Sequence, residues 1–158
     1  MTEQAMTEAV RHSVTVPLPP ERAFELFVDE FSAWWPKDSH HVGEHPLVEA
    51  IIEPRAGGRW YERDDSGAEC EWGRVLVVER PRRILLAWQL SPAFEFDADP
   101  AHATEVEVSF EPRGDGQTTV TLEHRGFDVH GDAAGPMRES FDKGWPELLE
   151  LYAESARV

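Results

Sequence analysis

The sequence predicts an α+β fold in which a curved antiparallel sheet packs against one long C-terminal helix. A helical stretch follows the first strand, and six strand-like segments then follow one another without helices between them. Helical spacing of apolar residues returns only at the end of the chain. Strands segregated from helices argue against a parallel α/β fold. A helix laid across a concave sheet would bury both apolar surfaces, and such an arrangement often leaves a cavity between them.

The first strand is predicted over residues 9–16, where alternation places three valines and His12 on one face. Prolines end this strand, and Pro20 suits the first turn of a helix. Helical spacing continues to Pro36 and predicts one helix, or two short ones, with an aromatic inner face. That face comprises Phe24, Phe27, Val28, Phe31 and Trp35.

Six further strands are predicted from alternation and from turn residues between the segments. A polar loop, 37–46, precedes them, and residues 114–116 predict a hairpin turn before the last strand. The predicted strands are 47–53, 59–63, 69–79, 83–90, 104–111 and 118–126.

The last segment, 133–157, predicts a long amphipathic helix. Gly144 and Pro146 fall inside it, and an internal proline removes a backbone donor, so we expect a kink or a helix in two pieces. The apolar stripe of this helix comprises Met137, Phe141, Trp145, Leu148 and Tyr152.

The length and composition predict one globular domain. The chain has 158 residues with 41% hydrophobic residues, which excludes a disordered chain. We expect a flexible N-terminus over 1–8 and a single domain over 9–158. No apolar run approaches the ~20 residues that span a bilayer, and no secretory signal is visible.

The formal net charge of −16 excludes the basic footprint that nucleic acid or an anionic membrane requires. Most of this acidity is expected on the solvated outer face of the sheet. Cys70 is the only cysteine, so the chain can form neither an internal disulfide nor a thiolate metal site. The expected compartment is the reducing cytoplasm.

Seven motifs follow one another along the chain, at 16–24, 34–36, 53–60, 72–76, 81–88, 118–127 and 144–149. In this order they resemble the activator of heat-shock protein 90 ATPase homologue family, within the SRPBCC (START-like, Bet v 1-like) superfamily. The resemblance implies a helix-grip fold, with a seven-stranded antiparallel sheet around a long C-terminal helix and a central hydrophobic cavity. The superfamily includes lipid carriers, polyketide cyclases, toxin-sequestering proteins and chaperone regulators, so the fold does not specify the function.

Six tryptophans on elements that this fold brings together predict an aromatic-lined pocket. The alternative interpretation is core packing, since a buried tryptophan supplies a large apolar area. The candidate ligand-binding residues are Trp34, Trp35, His41, Trp60, Glu62, Trp72, Arg74, Trp88, His124, Phe141 and Trp145.

His124 and Glu62 are the candidate catalytic residues, because a pocket histidine or carboxylate can transfer protons. His12 and His124 are expected on the apolar faces of paired terminal strands, and two hydrogen-bonded, partly buried histidines are the favoured interpretation. Arg74 is expected to share a strand face with Trp72 and to need a carboxylate partner, for which Glu62 is the choice.

One loop holds His40, His41 and His45, and these side chains could bind a metal ion. The four-residue spacing of His41 and His45 would suit zinc only in a helix, and Gly43 and Pro46 argue against a helix here. A mobile lid over the pocket is the favoured interpretation, and no metal or cofactor is expected. The sequence also lacks a phosphate loop and a nucleophile motif.

The leading hypothesis is a soluble, bacterial-type, single-domain protein that binds a small hydrophobic or aromatic molecule between helix and sheet. One alternative is a polyketide cyclase or hydrolase-type enzyme that uses a pocket histidine. Another is a co-chaperone-like regulator of a chaperone ATPase, steered by surface charge. Monomer and homodimer both stay open.

Overall fold

Among the residues that the structure describes, the sheet contains seven strands, each antiparallel to its neighbours. The computed structural model describes residues 8–37, 40, 45 and 47–157. The strands are β1 (Val10–Val16), β2 (Leu47–Ile52), β3 (Arg59–Asp64), β4 (Glu69–Glu79), β5 (Arg83–Trp88), β6 (Thr104–Gly114) and β7 (Gln117–Arg125). Their spatial order is β1-β7-β6-β5-β4-β3-β2, so the predicted α+β helix-grip architecture is confirmed.

Two short helices follow β1, which confirms the second of the two predicted arrangements. They are α1 (Pro20–Phe24) and α2 (Phe31–Trp34), joined by a π-helical turn over Glu25–Asp29. Pro20 occupies the first turn, where its missing N–H leaves no helical bond unmade.

The long helix, α3 (Ala134–Ala156), agrees with the predicted segment to within one residue at each end. It runs as one helix through Pro146, so the predicted alternative of two pieces is wrong. Proline removes a single backbone bond, and the buried Trp145 and Leu149 beside it pack the helix onto the sheet. A 3-10 segment, Phe127–Ala133, leads from β7 into α3.

The strand ends differ from the predictions where the backbone pairing departs from simple alternation. β5 ends at Trp88 rather than at residue 90, because Leu90 forms an isolated bridge with Phe96 in the next loop.

The β6–β7 hairpin turns at Asp115, which has a positive φ of 54° between two glycines that also have positive φ.

Bulges in β4 bend the sheet and reset which side chains face inward. Tyr61 pairs with Glu71 and Trp60 pairs with Gly73, so Trp72 is the extra residue in β4. Gly73 also pairs with Trp88 on the other side. A Cβ at Gly73 would lie 1.8 Å from the carbonyl oxygen of Ala87, so only glycine fits there.

Helix α3 crosses the concave face, and two side-chain hydrogen bonds join it to α1 and to β1. The Tyr152 hydroxyl donates to the carbonyl oxygen of Ala23 in α1 at 2.8 Å, and both residues are fully buried. Closer to the start of α3, Asp142 Oδ1 lies 2.8 Å from His12 Nε2 in β1. The predicted N-terminal extension, 1–8, lies outside the described residues except for residue 8.

Candidate functional site

A cavity of about 320 Å³ lies between the middle of α3 and the inner face of β4 and β5. Four tryptophans form most of its wall, and Phe94 and His40 lie at its edge. Its volume falls in the range of small-molecule sites, which are usually apolar with few polar groups. The lining residues are Trp35, His40, Trp72, Trp88, Leu90, Phe94, Ser140, Phe141, Gly144, Trp145 and Leu148.

Two of the wall tryptophans are oriented by hydrogen bonds that their indole N–H groups donate away from solvent. Trp72 Nε1 donates to Oε1 of Glu62 at 2.8 Å, and both side chains are at most 2% exposed. Trp35 Nε1 donates to the carbonyl oxygen of His40 at 2.9 Å. Each bond removes a rotational choice from a large ring, so this part of the wall is preorganised.

A third wall tryptophan is held by a buried polar chain. Trp145 Nε1 donates to Nδ1 of His124 at 3.1 Å, and His124 Nε2 lies 2.8 Å from Oγ1 of Thr104. An indole N–H can only donate, so Nδ1 must be the accepting nitrogen and the imidazole proton sits on Nε2. Burial lowers the pKa of His124 to about 3, and the nearby His130 acts in the same direction. His124 is therefore neutral at neutral pH.

Trp88 lies at the centre of the aromatic wall. Its ring makes edge-on contacts with Phe141 at 5.1 Å and with Trp60 at 5.4 Å between centroids. Its Nε1 is buried and has no hydrogen-bond partner among the described residues. Trp60 packs behind it, so the two rings extend the wall into the core.

The structure brings five of the eleven predicted residues to the cavity, namely Trp35, Trp72, Trp88, Phe141 and Trp145. Glu62 and His124 lie one layer behind, where each holds the N–H group of a wall tryptophan. Trp34 and Trp60 belong to the core. His41 lies outside the described residues, and so does most of the predicted lid.

The predicted ion pair between Arg74 and Glu62 is wrong. Arg74 donates to Glu71 Oε1 at 2.7 Å, and its side chain is 41% exposed. The bulge at Trp72 shifts the alternation by one residue, which turns Arg74 to the outer face while Trp72 stays inside. Strand periodicity alone cannot reveal such a shift.

The two histidines of the terminal strands do not form a pair. His124 is opposite Val10 in the register, and His12 is opposite Leu122. His12 bonds to Asp142, whereas His124 bonds to Thr104 and Trp145. Both histidines are hydrogen-bonded, as the favoured interpretation predicted; His12 is partly buried, and His124 is completely buried.

Sequence reasoning missed several lining residues. Gly144 lies three residues after Phe141 and four before Leu148, so helical spacing could have placed it on the inner stripe. Phe94 lies in a loop, where no periodicity applies. His40 belongs to the loop for which the sequence suggests a lid or a metal site, and it is not among the predicted ligand-binding residues.

His40 is the titratable side chain among the described cavity residues. Burial against the wall lowers the pKa of its imidazole, and Glu147 opposes that shift. Within the described part of the chain, no three His, Cys, Asp or Glu side chains come together in a way that could hold a metal ion.

Comparisons with known proteins agree with this fold. The family described as activator of Hsp90 ATPase homolog 1-like protein matches residues 17–154. Txn09, an anthrahydroquino-γ-pyrone synthase complexed with SUM, is 36% identical over 92% of this chain and 95% of its own, with a TM-score of 0.65. CalC from Micromonospora echinospora, a self-sacrificing resistance protein, is 34% identical over 96% and 95%, with a TM-score of 0.69.

A more distant neighbour, protein MLL2253 from Mesorhizobium loti, shares the fold at 20% identity, covers 93% of this chain and 95% of its own, and has a TM-score of 0.66. A search of curated proteins returns no match. In the described part of the chain, every helix is too short or too polar to cross a membrane.

Proposed function

We propose that this chain, which belongs to the family of activator of Hsp90 ATPase homolog 1-like proteins, binds a small aromatic molecule between α3 and the sheet. The observation that carries the proposal is the cavity itself, whose aromatic wall is held in place by the bonds of Trp35, Trp72 and Trp145. Flat aromatic rings bind well between such side chains, because stacked and edge-on contacts add to area burial.

Gly144 supports the same proposal. It lies inside α3, where glycine is less favourable than alanine by about 1 kcal/mol. A Cβ built there would meet no atom within 4 Å, so packing does not demand glycine. The residue instead leaves open space on the wall of the cavity, as a ligand would require.

The described lining carries no Asp, Glu, Lys or Arg, which favours an uncharged ligand. Txn09, a synthase complexed with SUM and 36% identical to this chain, supports a small molecule rather than a macromolecule as the ligand. We place this role in the cytoplasm, where Cys70 would stay reduced.

The experiment is a fluorescence titration with a planar, uncharged probe such as 1-aminoanthraquinone, alongside native mass spectrometry of protein from its own host. Binding should quench the wall tryptophans. Gly144→Leu should weaken binding by about ten-fold or more, because the new side chain occupies the cavity. Ala33→Leu adds a side chain of nearly the same size at an exposed position of α2 and should not weaken binding. Equal binding by wild type and Gly144→Leu would contradict the proposal.

A second candidate, acid–base chemistry on the bound molecule, is favoured by the synthase relative and by the position of His40. The imidazole of His40 borders the cavity, and burial lowers its pKa, so the ring is neutral at pH 7, as a general base must be. His124 lies behind Trp145 with both nitrogens engaged, which leaves it no nitrogen for a substrate. His40→Gln should then abolish turnover of hydroxyanthraquinone-type substrates while binding persists.

A further inference from the structure

A second cavity, of about 240 Å³, adjoins the first along α3. The two share Phe94, Ser140 and Phe141 in their linings. Five other residues complete the second one, namely Ser91, Pro92, Ala133, Pro136 and Met137. The two volumes are therefore neighbouring compartments with a common partition.

Building on the proposed function, we propose that the second cavity is a subsite for an apolar, uncharged or cationic substituent attached to the aromatic ligand. The ligand would then place its rings against the tryptophans and extend this substituent toward the amino end of α3. The residues of the second cavity, which include no tryptophan, would then select the ligand by its substituent.

The chemistry of the second lining matches an apolar substituent. Of its two hydroxyl groups, that of Ser91 already accepts bonds from the backbone N–H groups of Ala93 and Glu95, both at 3.2 Å. The Ser140 hydroxyl lies at the partition, where it could contact an atom that links rings and substituent. The other residues offer carbon surface, as burial of an alkyl group requires.

Phe94 is held at the partition in a strained conformation. Its φ of 61° lies in the left-handed region, which a bulky residue rarely adopts, and it is 52% exposed. Its N–H donates to the carbonyl oxygen of Ser91 at 2.8 Å, and the Leu90–Phe96 bridge closes the loop. Such strain concentrates where a protein contacts a ligand. The loop thus presents an aromatic ring to both compartments at a local energetic cost.

Charge around the second cavity favours one sign of substituent. Three exposed carboxylates adjoin lining residues in the sequence. Glu95 follows Phe94, Asp132 precedes Ala133, and Glu139 precedes Ser140. The nearby cation, Arg138, is offset by Asp142, whose Oδ2 lies 4.0 Å from its Nη1, and its Nε donates to the carbonyl oxygen of residue 8 at 2.9 Å. The amino end of α3 would favour an anion, but three carboxylates outweigh its partial charge. An anionic substituent should therefore bind poorly.

The test compares four probes by tryptophan quenching at low salt. They are 1-aminoanthraquinone, its N-butyl derivative, and N-butyl derivatives ending in an amine or a carboxylate. The butyl and aminobutyl probes should bind at least about ten-fold more tightly than the parent, since several methylene groups become buried. The carboxylate probe should lose that gain, and salt should restore part of it.

Ala133→Trp fills only the second cavity, and Val129→Trp places the same bulk at an exposed position of the same 3-10 segment. Ala133→Trp should abolish the butyl gain and leave parent binding unchanged, whereas Val129→Trp should change neither. Parent binding without a butyl gain in the wild type, or a gain that persists in Ala133→Trp, would overturn the subsite alone. Absence of binding by every probe would overturn the proposed function and the subsite together.

Discussion

Trp145 of α3 donates its indole N–H to Nδ1 of His124 in β7, across 3.1 Å, and both side chains are almost completely buried. This bond joins the helix to the sheet and aligns one wall of the cavity. It also requires a neutral imidazole with its proton on Nε2, because the indole cannot accept. The same interaction therefore links the cavity wall to the protonation state of a core residue.

The stability of the protein should depend on pH through His124. In the unfolded chain its pKa is near 6.5, and in the folded protein it falls to about 3. At a pH between these two pKa values, His124 is protonated in the unfolded state and neutral in the folded state. The free energy of unfolding therefore falls as the pH falls below 6.5. The slope should reach about 1.4 kcal/mol per pH unit.

The measurement is urea unfolding at several values between pH 7 and pH 4. His124→Gln is the matched control, because its amide can accept from Trp145 and donate to Thr104 without titrating. Carboxylates titrate equally in both proteins, so the difference between the two curves isolates the histidine. A constant difference across this range would refute the prediction.

Glu62 should orient Trp72 rather than act on a ligand directly. Glu62→Leu leaves the Trp72 N–H buried without this partner and should cost about 1–3 kcal/mol of stability. Glu62→Gln keeps the accepting oxygen and should cost less. Guanidinium unfolding measures both, and the Trp72 indole signal in an NMR spectrum should shift in the leucine variant and broaden. Equal stability of the two variants would argue against this role.

Gly73 should tolerate no side chain. A Cβ at Gly73 would lie 1.8 Å from the carbonyl oxygen of Ala87 in β5. Gly73→Ala must therefore displace β4 or β5 at the position where Gly73 pairs with Trp60 on one side and Trp88 on the other. We expect a loss of about 3 kcal/mol or more in the free energy of unfolding. Thermal and guanidinium unfolding both report it, and a change below about 1 kcal/mol would contradict the close approach.

Gly144 should behave in the opposite way. Gly144→Ala adds a methyl group in open space within a helix, so the free energy of unfolding should rise by up to about 1 kcal/mol. The same substitution at Gly73 serves as its counterpart, since both remove a glycine. Destabilisation by Gly144→Ala would show that the position is more crowded than the structure indicates.

Local pattern predicted the elements of this fold well. Alternation on β1 and β7, and the steps of three and four residues from Met137 to Tyr152, reflect the faces that the folded protein buries. These patterns are readable because burial of one face repeats with the geometry of a strand or a helix. They failed for Arg74, where one bulged residue reversed the alternation.

The sequence by itself determined the seven strands, the long helix, the aromatic inner faces and the family, because these depend on residue order and local periodicity. Only the tertiary structure decided that Trp72 and Trp145 line a cavity while Glu62 and His124 hold them from behind. Those roles depend on bulges, on cross-strand register and on where α3 crosses the sheet. Each arises from contacts between residues far apart in the chain, which no local pattern records.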